Sequence, residues 1–346
     1  MAFQFGFGGG DDDDEIRRVN DPIQAAAESH TVDNVPIEQH GLDTLLSTLP
    51  ERFTYSAVRI EAPSGQVVFL PRRELYDVRV QLLLEGSDAN DAVIDQLQDS
   101  DLRSGVYEGG FKTWECSIDL ASLLLDRGPR KDIDELVRCQ QVVELGAGSA
   151  LPTLILFRHA LLNNIPLTFT LADYNDTVLR LVTLPNLILT WASINASTTE
   201  FPTPELSVTS AGDLELNPAL LADFTQTLQQ KGITLNFISG PWSPELSSLI
   251  PSNAPDMGTL ILAAETIYSP ESTKAFVALL ITLLKRAQMS KAMIAAKRMY
   301  FGVGGSVDGL KEECAKVGAV ASEIENHGVS GMEAGVGRAL VEVQMY

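Results

Sequence analysis

Basic residues are scarce in this chain of 346 residues. Its 25 lysines and arginines stand against 46 aspartates and glutamates, which gives a formal net charge of −21. Direct binding to nucleic acid needs a basic footprint on the phosphates, so the charge balance argues against that partner. A basic protein partner is favoured instead, because opposite charges speed the encounter of two proteins. Alternatively, the negative charge serves only to keep the protein soluble.

Cysteine and histidine are also few. The three cysteines are scattered and odd in number, so the sequence predicts no disulfide framework and fits a reducing compartment. No metal-ligand spacing occurs among them and the four histidines, so we expect no metal site. The chain starts without a basic-then-apolar leader, and no apolar run approaches the ~20 residues that cross a bilayer. We therefore expect a cytoplasmic or nuclear protein that does not bind membranes.

The chain divides into three regions by composition. Residues 1–40 alternate phenylalanine with glycine and then carry the acidic run 11–15, which is typical of a disordered tail. Such a tail either solubilises the protein or helps to engage a basic partner. Residues 41–104 are a small lead-in or cap, in which 54–61 and 67–70 predict a hairpin and 75–84 fits a third strand or a short helix. Residues 105–346 form the main domain.

Strand-length and helix-length segments alternate along the main domain. This alternation predicts an α/β fold, in which a parallel sheet carries helices on both faces. The predicted strands are residues 141–145, 167–172, 206–210, 233–239, 259–264, 291–296, 320–324 and 339–345. The predicted helices are residues 117–126, 151–162, 178–194, 218–230, 270–288 and 307–317.

A buried strand that turns sharply into a helix is predicted at residues 141–152. Gly146 and Gly148 follow the apolar run, where glycine lets the backbone bend and a ligand approach closely. The next strand ends at Asp173, where an acid can accept hydrogen bonds from both ribose hydroxyls of a nucleoside. Because Leu151 replaces the third glycine of the dinucleotide fingerprint, the two glycines could instead form a simple tight turn. The alternative for Asp173 is a helix N-cap. Together the two segments predict a nucleoside site at the carboxyl edge of the sheet.

Carboxylates surround this predicted site. Glu144, Asp173 and Glu265 lie at strand ends, and Glu115 lies before the first strand. A pyrophosphate would favour cations or a free helix N-terminus here. A ligand with positive charge suits the carboxylates better, and the ammonium and sulfonium of S-adenosylmethionine are such charges. Ordinary solvated acids in an acidic chain are the alternative.

Six short motifs occur in order along the chain. They are Trp114-Glu-Cys-Ser-Ile-Asp-Leu120, Glu144-Leu-Gly-Ala-Gly148, Asp173-Tyr-Asn175, Ser239-Gly-Pro-Trp-Ser243, Glu265-Thr-Ile-Tyr268 and Tyr300-Phe-Gly-Val-Gly-Gly305. With this set the chain resembles the seven-strand, S-adenosylmethionine-dependent protein methyltransferases. It is most similar to the protein-histidine N-methyltransferases that modify a large-subunit ribosomal protein. The resemblance covers residues 105–346, and the start of the chain is similar to fungal members.

The resemblance implies a fold, a cofactor and a substrate. The fold is a seven-stranded Rossmann-like sheet with helices on both faces and a closing antiparallel hairpin, preceded by a small N-terminal extension. The cofactor is S-adenosylmethionine, and the substrate is a basic ribosomal protein, with a role in ribosome biogenesis or translation. The residues implied for cofactor binding are Thr113, Trp114, Glu115, Cys116, Ser117, Glu144, Gly146, Gly148, Asp173, Tyr174, Asn175, Gly240, Pro241, Trp242 and Ala264. Trp242 would stack on the adenine ring, unless it only anchors the core.

Glu265 and Tyr268 are the implied catalytic residues. Related lysine methyltransferases carry Asp-x-x-Tyr where this chain has Glu265-Thr-Ile-Tyr268, so the glutamate favours the histidine branch. A lysine must lose a proton from a group of pKa about 10.4, whereas neutral imidazole already holds a free lone pair. The enzyme must instead select a tautomer, for which Glu265, Tyr268 or a carbonyl of residues 301–305 could accept the ring N–H. A lysine methyltransferase and a non-catalytic chaperone for a basic ribosomal protein are the alternatives.

Overall fold

The computed structural model describes residues 35–86, 110–126, 139–195, 211–254, 256–287, 289–324, 329, 331–332 and 335–345. The strand predicted at 206–210 and most of the predicted tail lie outside these residues. The strands are β1 Glu38–His40, β2 Arg52–Glu61, β3 Val67–Arg73, β4 Cys139–Leu145, β5 Thr168–Asp173, β6 Gly212–Glu215, β7 Thr234–Ser239, β8 Gly258–Ala264, β9 Lys291–Lys297, β10 Ala319–Glu323 and β11 Arg338–Met345.

Helices connect these strands. They are α1 Leu42–Ser47, α2 Leu75–Glu85, α3 Glu115–Asp126, α4 Leu151–Asn163, α6 Pro218–Lys231, α7 Pro244–Leu249, α8 Pro270–Leu284 and α9 Val307–Lys316. The helix between β5 and β6, α5, has three parts, which are Asp176–Val178, a π turn Leu179–Thr183, and Leu184–Asn195. Helices α6, α7, α8 and α9 begin after an Asn or Ser side chain that accepts a hydrogen bond from a first-turn N–H.

The main sheet has the order β1-β7-β5-β4-β8-β9-β11-β10. Its five central strands, from β7 to β9, are parallel, whereas β11 is antiparallel to both β9 and β10. The predicted α/β sheet with a closing antiparallel hairpin is therefore confirmed. Alternate residues of a strand face opposite sides of the sheet, so each apolar run contributes side chains to two hydrophobic cores, one on each face. Val142 packs with Leu154 and Leu184 on one side, and Val143 packs with Phe276 and Leu310 on the other.

The sheet has an eighth strand that the sequence did not predict. Strand β1 pairs antiparallel with β7, and Glu38 lies opposite Ser239. The nitrogen Nε2 of His40 lies 2.8 Å from Ser239 Oγ. The predicted tail boundary at residue 40 is therefore too late. Three residues are too few to show an alternating pattern, and it is the free edge of β7 that supplies their hydrogen-bond partners.

The lead-in packs on the main domain. Strands β2 and β3 form the predicted antiparallel hairpin, β6 extends it to a three-stranded sheet, and residues 75–85 are a helix rather than a strand. Phe53 and Leu70 of this small sheet share a core with Leu120 of α3. The described residues from 35 onward belong to one compact unit, so the lead-in is built into the domain.

The stretch Asp176–Ile194 of α5 is long and apolar enough to cross a membrane, so the expectation that no apolar run approaches this length is wrong. Inside the protein 78% of it is buried, as expected for the central helix of a packed layer. Its apolar character is therefore explained by the core.

Candidate active site

The glycine loop between β4 and α4 folds back on the end of β5. The N–H groups of Gly146 and Ala147 both donate to the carbonyl of Ala172, at 2.8 and 2.9 Å. Gly146 and Gly148 have φ values of +72° and +49°, in the left-handed region that favours glycine. A Cβ on Gly148 would lie 3.2 Å from the carbonyl oxygen of Gly110. The prediction that glycine is needed for a sharp bend here is confirmed.

Asp173 ties this loop to the end of β5. Its carboxylate is 5% exposed and accepts hydrogen bonds from the N–H groups of Gly148 and Asn175, at 2.9 and 3.2 Å. Both oxygens therefore have a partner and a fixed orientation. The acid that was predicted for a ribose stands at the mouth of the glycine loop.

Glu144 lies beneath the loop and is 1% exposed. Its carboxylate accepts a hydrogen bond from the N–H of Thr153 at 3.1 Å. Burial, with a smaller contribution from nearby Asp173, raises the pKa of Glu144 to about 8. The side chain is therefore protonated at neutral pH in the absence of ligands.

Side chains of helix α5 donate hydrogen bonds to backbone carbonyls of the glycine loop. The hydroxyl of Thr183, at the end of the π turn, donates to the carbonyl of Gly148 at 2.8 Å. The side chain of Asn186 donates to the carbonyl of Ser149 at 3.0 Å and accepts from the N–H of Arg73 at 2.8 Å. Both side chains are fully buried, so the loop carbonyls are satisfied within the protein.

A cleft of about 830 Å³, counted with the solvent at its mouth, opens at this edge of the sheet. Eleven predicted site residues line it, namely Trp114, Ser117, Glu144, Gly146, Gly148, Asp173, Tyr174, Trp242, Ala264, Glu265 and Tyr268. Six predicted site residues do not, namely Thr113, Glu115, Cys116, Asn175, Gly240 and Pro241. The sequence analysis missed seven lining residues, namely Gly110, Lys112, Ala147, Ser149, Thr266, Lys297 and Tyr300.

Several of the six non-lining residues support the wall of the cleft. Thr113 accepts a hydrogen bond from Arg72 at 2.8 Å, and Glu115 lies 3.4 Å from the guanidinium of Arg338. Cys116 is buried, and its burial, followed by the charge of nearby Glu265, raises the pKa of its thiol. The three residues therefore make contacts within the wall of the cleft, and their predicted contact with the cofactor stays a prediction.

Glu265 lies at the end of the cleft that is farther along the sheet from Asp173, just after β8. Its φ of +60° is unusual for a residue other than glycine, and such strain clusters at functional sites. The carboxylate accepts a hydrogen bond from the hydroxyl of Tyr300 at 2.5 Å. The other carboxylate oxygen, Oε1, is buried and makes no hydrogen bond within the described residues.

Lys297 and Tyr300 complete this end of the cleft. The ammonium of Lys297 lies 4.0 Å from Glu265 Oε1 and 5.1 Å from the centre of the Trp114 ring. Burial, and then the charge of Glu265, raise the pKa of Tyr300 well above its usual value, so the phenol stays protonated and donates. The position of Tyr300 at the start of its motif was the signal that could have found it.

The loop after β9 closes over Tyr268. The N–H of Gly305 donates to the carbonyl of Tyr268 at 3.0 Å, and the carbonyl of Gly305 accepts from the N–H of Tyr300 at 2.8 Å. A Cβ on Gly305 would lie 2.0 Å from the carbonyl oxygen of Ile267, so only glycine fits. The backbone of the loop therefore approaches that of Ile267 and Tyr268 closely at Gly305.

Helix α3 is fixed against β11 by a buried ion pair. The guanidinium of Arg338 donates to both carboxylate oxygens of Asp119, at 2.5 and 3.2 Å. Trp114 immediately precedes α3, so this pair positions the tryptophan in the cleft. Among the described residues, no group of three or more His, Cys, Asp or Glu side chains could hold a metal ion.

Two fungal proteins are similar to this chain over most of their length. Histidine protein methyltransferase 1 of Schizosaccharomyces pombe is 38% identical, over 88% of this chain and 83% of its own. Histidine protein methyltransferase 1 of Saccharomyces cerevisiae is 36% identical, over 89% of both chains. The chain belongs to the histidine protein methyltransferase 1 family. It is therefore a protein-histidine methyltransferase with S-adenosylmethionine as methyl donor, and the resemblance carried by the six motifs is confirmed.

Similarity to more distant proteins is confined to part of the chain. The family homologue of Dictyostelium discoideum is 30% identical over 62% of this chain and 52% of its own. No protein-family model matches. The solved structure of a TehB-like methyltransferase from Corynebacterium glutamicum superposes at a TM-score of 0.33 with 11% identity, over 62% of this chain and 85% of its own, which is too weak to carry an argument.

The cleft fits S-adenosylmethionine in three respects. The glycine loop forms a cradle that a Cβ on Gly146 would narrow, since that atom would lie 2.8 Å from the side chain of Thr266. The hydroxyl of Thr266, which lines the cleft, is buried without a hydrogen-bond partner among the described residues. Asp173 and Glu265 line the cleft with carboxyl groups, which suit a ligand that carries positive charge.

Proposed function

We propose that this enzyme transfers a methyl group to an imidazole nitrogen of one histidine in a large-subunit ribosomal protein, and so acts in ribosome biogenesis or translation. The ribosomal substrate is supported by the order of the six motifs. The net charge of −21 also suits a basic protein substrate. We further propose a cytoplasmic or nuclear location without direct nucleic-acid binding, which the three free cysteines and the acidity support.

One end of the cleft would bind the cofactor, and the other end would bind the substrate histidine. At one end Asp173, the glycine loop and Trp242 would hold the cofactor, with Asp173 accepting from ribose hydroxyls. When bound, S-adenosylmethionine supplies an electrophilic methyl group on a sulfonium. The other end is the space that the histidine would enter, and it is lined by Trp114, Glu265, Tyr268 and Tyr300.

The observation that carries the proposal is the carboxylate of Glu265. One of its oxygens is oriented by the Tyr300 hydroxyl, and Oε1, which lies 4.0 Å from the Lys297 ammonium, makes no hydrogen bond within the described residues. A neutral imidazole can donate its ring N–H to Oε1, which selects the tautomer whose other nitrogen holds a free lone pair. As that nitrogen gains its methyl group, the ring becomes positively charged and Glu265 stabilises the charge at the N–H.

Purified large-subunit ribosomal proteins, incubated with the enzyme and the methyl donor, test the proposal. We expect one methylated histidine, located by mass spectrometry of the digested product. The rate should rise with pH and level off above about 6.5, because neutral imidazole is the reacting form. Transfer only to lysine, or only to proteins outside the ribosome, would contradict the proposal.

A further inference from the structure

The acceptor end of the cleft, formed by Trp114, Glu265, Tyr268, Lys297 and Tyr300, contains a positive charge of its own. Lys297 is the last residue of β9, and its side chain is 25% exposed. Its ammonium lies 5.1 Å from the centre of the Trp114 ring and 6.0 Å from that of Tyr300. With Glu265 Oε1 at 4.0 Å, the ammonium sits among two aromatic rings and one carboxylate.

Aromatic rings next to a carboxylate are the surroundings that bind an ammonium ion in proteins. An enzyme that accepts lysine would use such a cage for the side chain of its substrate. In this protein the cage is filled by a residue of the enzyme itself. A lysine that entered the acceptor end would bring a second ammonium within a few ångströms of Lys297, and like charges at that distance repel each other strongly in a partly buried site.

We propose that Lys297 determines substrate specificity, because its ammonium occupies the cation site of the acceptor end and excludes lysine while neutral imidazole is accepted. This inference rests on the proposed transfer to histidine. It gives the discrimination a repulsive component, in addition to the attraction between Glu265 and the ring N–H. Lys297 lies beside the reacting group and forms no bond to it during the reaction.

Three peptides that differ only at the target residue test the inference. One carries histidine, one lysine, and one norleucine, which keeps the lysine stem without its ammonium. Calorimetry on the full chain, saturated with S-adenosylhomocysteine, measures their affinities without turnover. We expect the wild type to bind the lysine peptide about tenfold more weakly than the norleucine peptide, a repulsion moderated by solvent.

Two variants of Lys297 sharpen the test. Lys297→Met removes the charge and keeps most of the side-chain volume, so it should abolish the preference for norleucine and permit methyl transfer to the lysine peptide. Lys297→Arg keeps the charge and is the matched control, which should discriminate like the wild type. Melting temperatures of both variants check their folding, and Lys297→Gln replaces the methionine variant if that variant is unfolded.

The outcomes separate the inference from the proposed function. Equal affinity of the wild type for the lysine and norleucine peptides overturns the role of Lys297, whatever the variants do. An unchanged preference in Lys297→Met or Lys297→Gln also overturns it, while methylation of the histidine peptide leaves the proposed function standing. If the wild type methylates lysine and not histidine, the proposed function itself fails.

Discussion

The two ends of the cleft differ in how their polar groups are satisfied. At the cofactor end, Asp173 accepts two backbone hydrogen bonds, and the loop carbonyls of Gly148 and Ser149 are held by side chains of α5. At the acceptor end, Glu265 has one oxygen bonded to Tyr300 and one that makes no hydrogen bond within the described residues. At the cofactor end the loop and the carboxylate are held by hydrogen bonds within the protein, whereas the acceptor end keeps an acceptor for its substrate.

Backbone strain differs between the two ends as well. The left-handed residues of the glycine loop are mostly glycines, which adopt that conformation without a steric cost. At the acceptor end Glu265 has a φ of +60° in spite of its Cβ, at a cost of about 1–2 kcal/mol. Nearby, Gly305 of the loop 299–306 packs against the backbone of Ile267 and Tyr268. The acceptor end is therefore the more easily broken of the two.

The largest effect should come from Gly305→Ala. The new Cβ would lie 2.0 Å from the oxygen of Ile267 and 2.4 Å from the carbonyl carbon of Tyr268, and backbone cannot move aside as a side chain can. We expect a loss of about 3 kcal/mol or more in the free energy of unfolding, measured with urea. Gly302→Ala is the control, because it has a φ of +86° but open space around it, and should cost about 1–2 kcal/mol. Equal losses would contradict the packing of Gly305.

Asp173→Ala should break the cofactor end without disturbing the acceptor end. The change leaves the N–H of Gly148 without its partner and removes the acceptor for the ribose hydroxyls. Affinity for S-adenosylmethionine, measured by calorimetry, should fall by about 1–3 kcal/mol. Unchanged affinity would show that Asp173 does not hold the cofactor.

Tyr300→Phe should impair the acceptor end of the cleft and leave the cofactor end intact. The hydroxyl orients Glu265, so its loss should lower the rate of histidine methylation by about tenfold while leaving cofactor affinity nearly unchanged. Initial rates on a histidine peptide and calorimetry with S-adenosylmethionine measure the two quantities on one preparation. A parallel fall in both would mean that the two ends do not act separately.

Glu144→Gln should have the smallest effect at pH 5, where Glu144 is protonated in the folded protein, and this effect should grow as the pH rises. Because the pKa of Glu144 is raised to about 8 in the folded protein, its contribution to stability is full below pH 4.5 and is lost as the pH rises through 8. Glutamine carries no charge and still accepts the hydrogen bond of Thr153. Relative to the wild type, the ligand-free variant should gain about 3 kcal/mol of stability, or roughly 5–10 °C in melting temperature, between pH 5 and pH 8. A constant difference would place Glu144 in its charged form throughout.

Much of the cofactor end could be predicted from the sequence. Buried parallel strands are continuous apolar runs, and Gly146, Gly148 and Asp173 stand directly after two of them. The residues that hold the loop from behind could not be predicted, because Thr183 and Asn186 lie within an apolar helix and only packing shows which way they face. The added strands β1 and β6 are three and four residues long and depend on partners far along the chain.

The acceptor end was only half predictable for a related reason. Glu265 and Tyr268 follow a strand and share one motif, so their position was clear from the sequence. Lys297 and Tyr300 come from the next strand and its loop, and their contacts with Glu265 span more than thirty residues. The pair that fixes α3, Arg338 and Asp119, is 219 residues apart, a distance over which spacing carries no information.

Asn186 links two parts of the protein that share no strand. One side of its amide accepts from the backbone of Arg73 in the small sheet, and the other side donates to Ser149 in the glycine loop. Opening the hairpin of β2 and β3 would free this amide and loosen the loop, so a bound cofactor must make that opening rarer. The amide hydrogens of the hairpin, far from the reacting atoms, would then exchange with solvent more slowly whenever the cleft is filled. By the same reciprocity, a partner protein that bound the hairpin could raise or lower the affinity of the enzyme for the methyl donor.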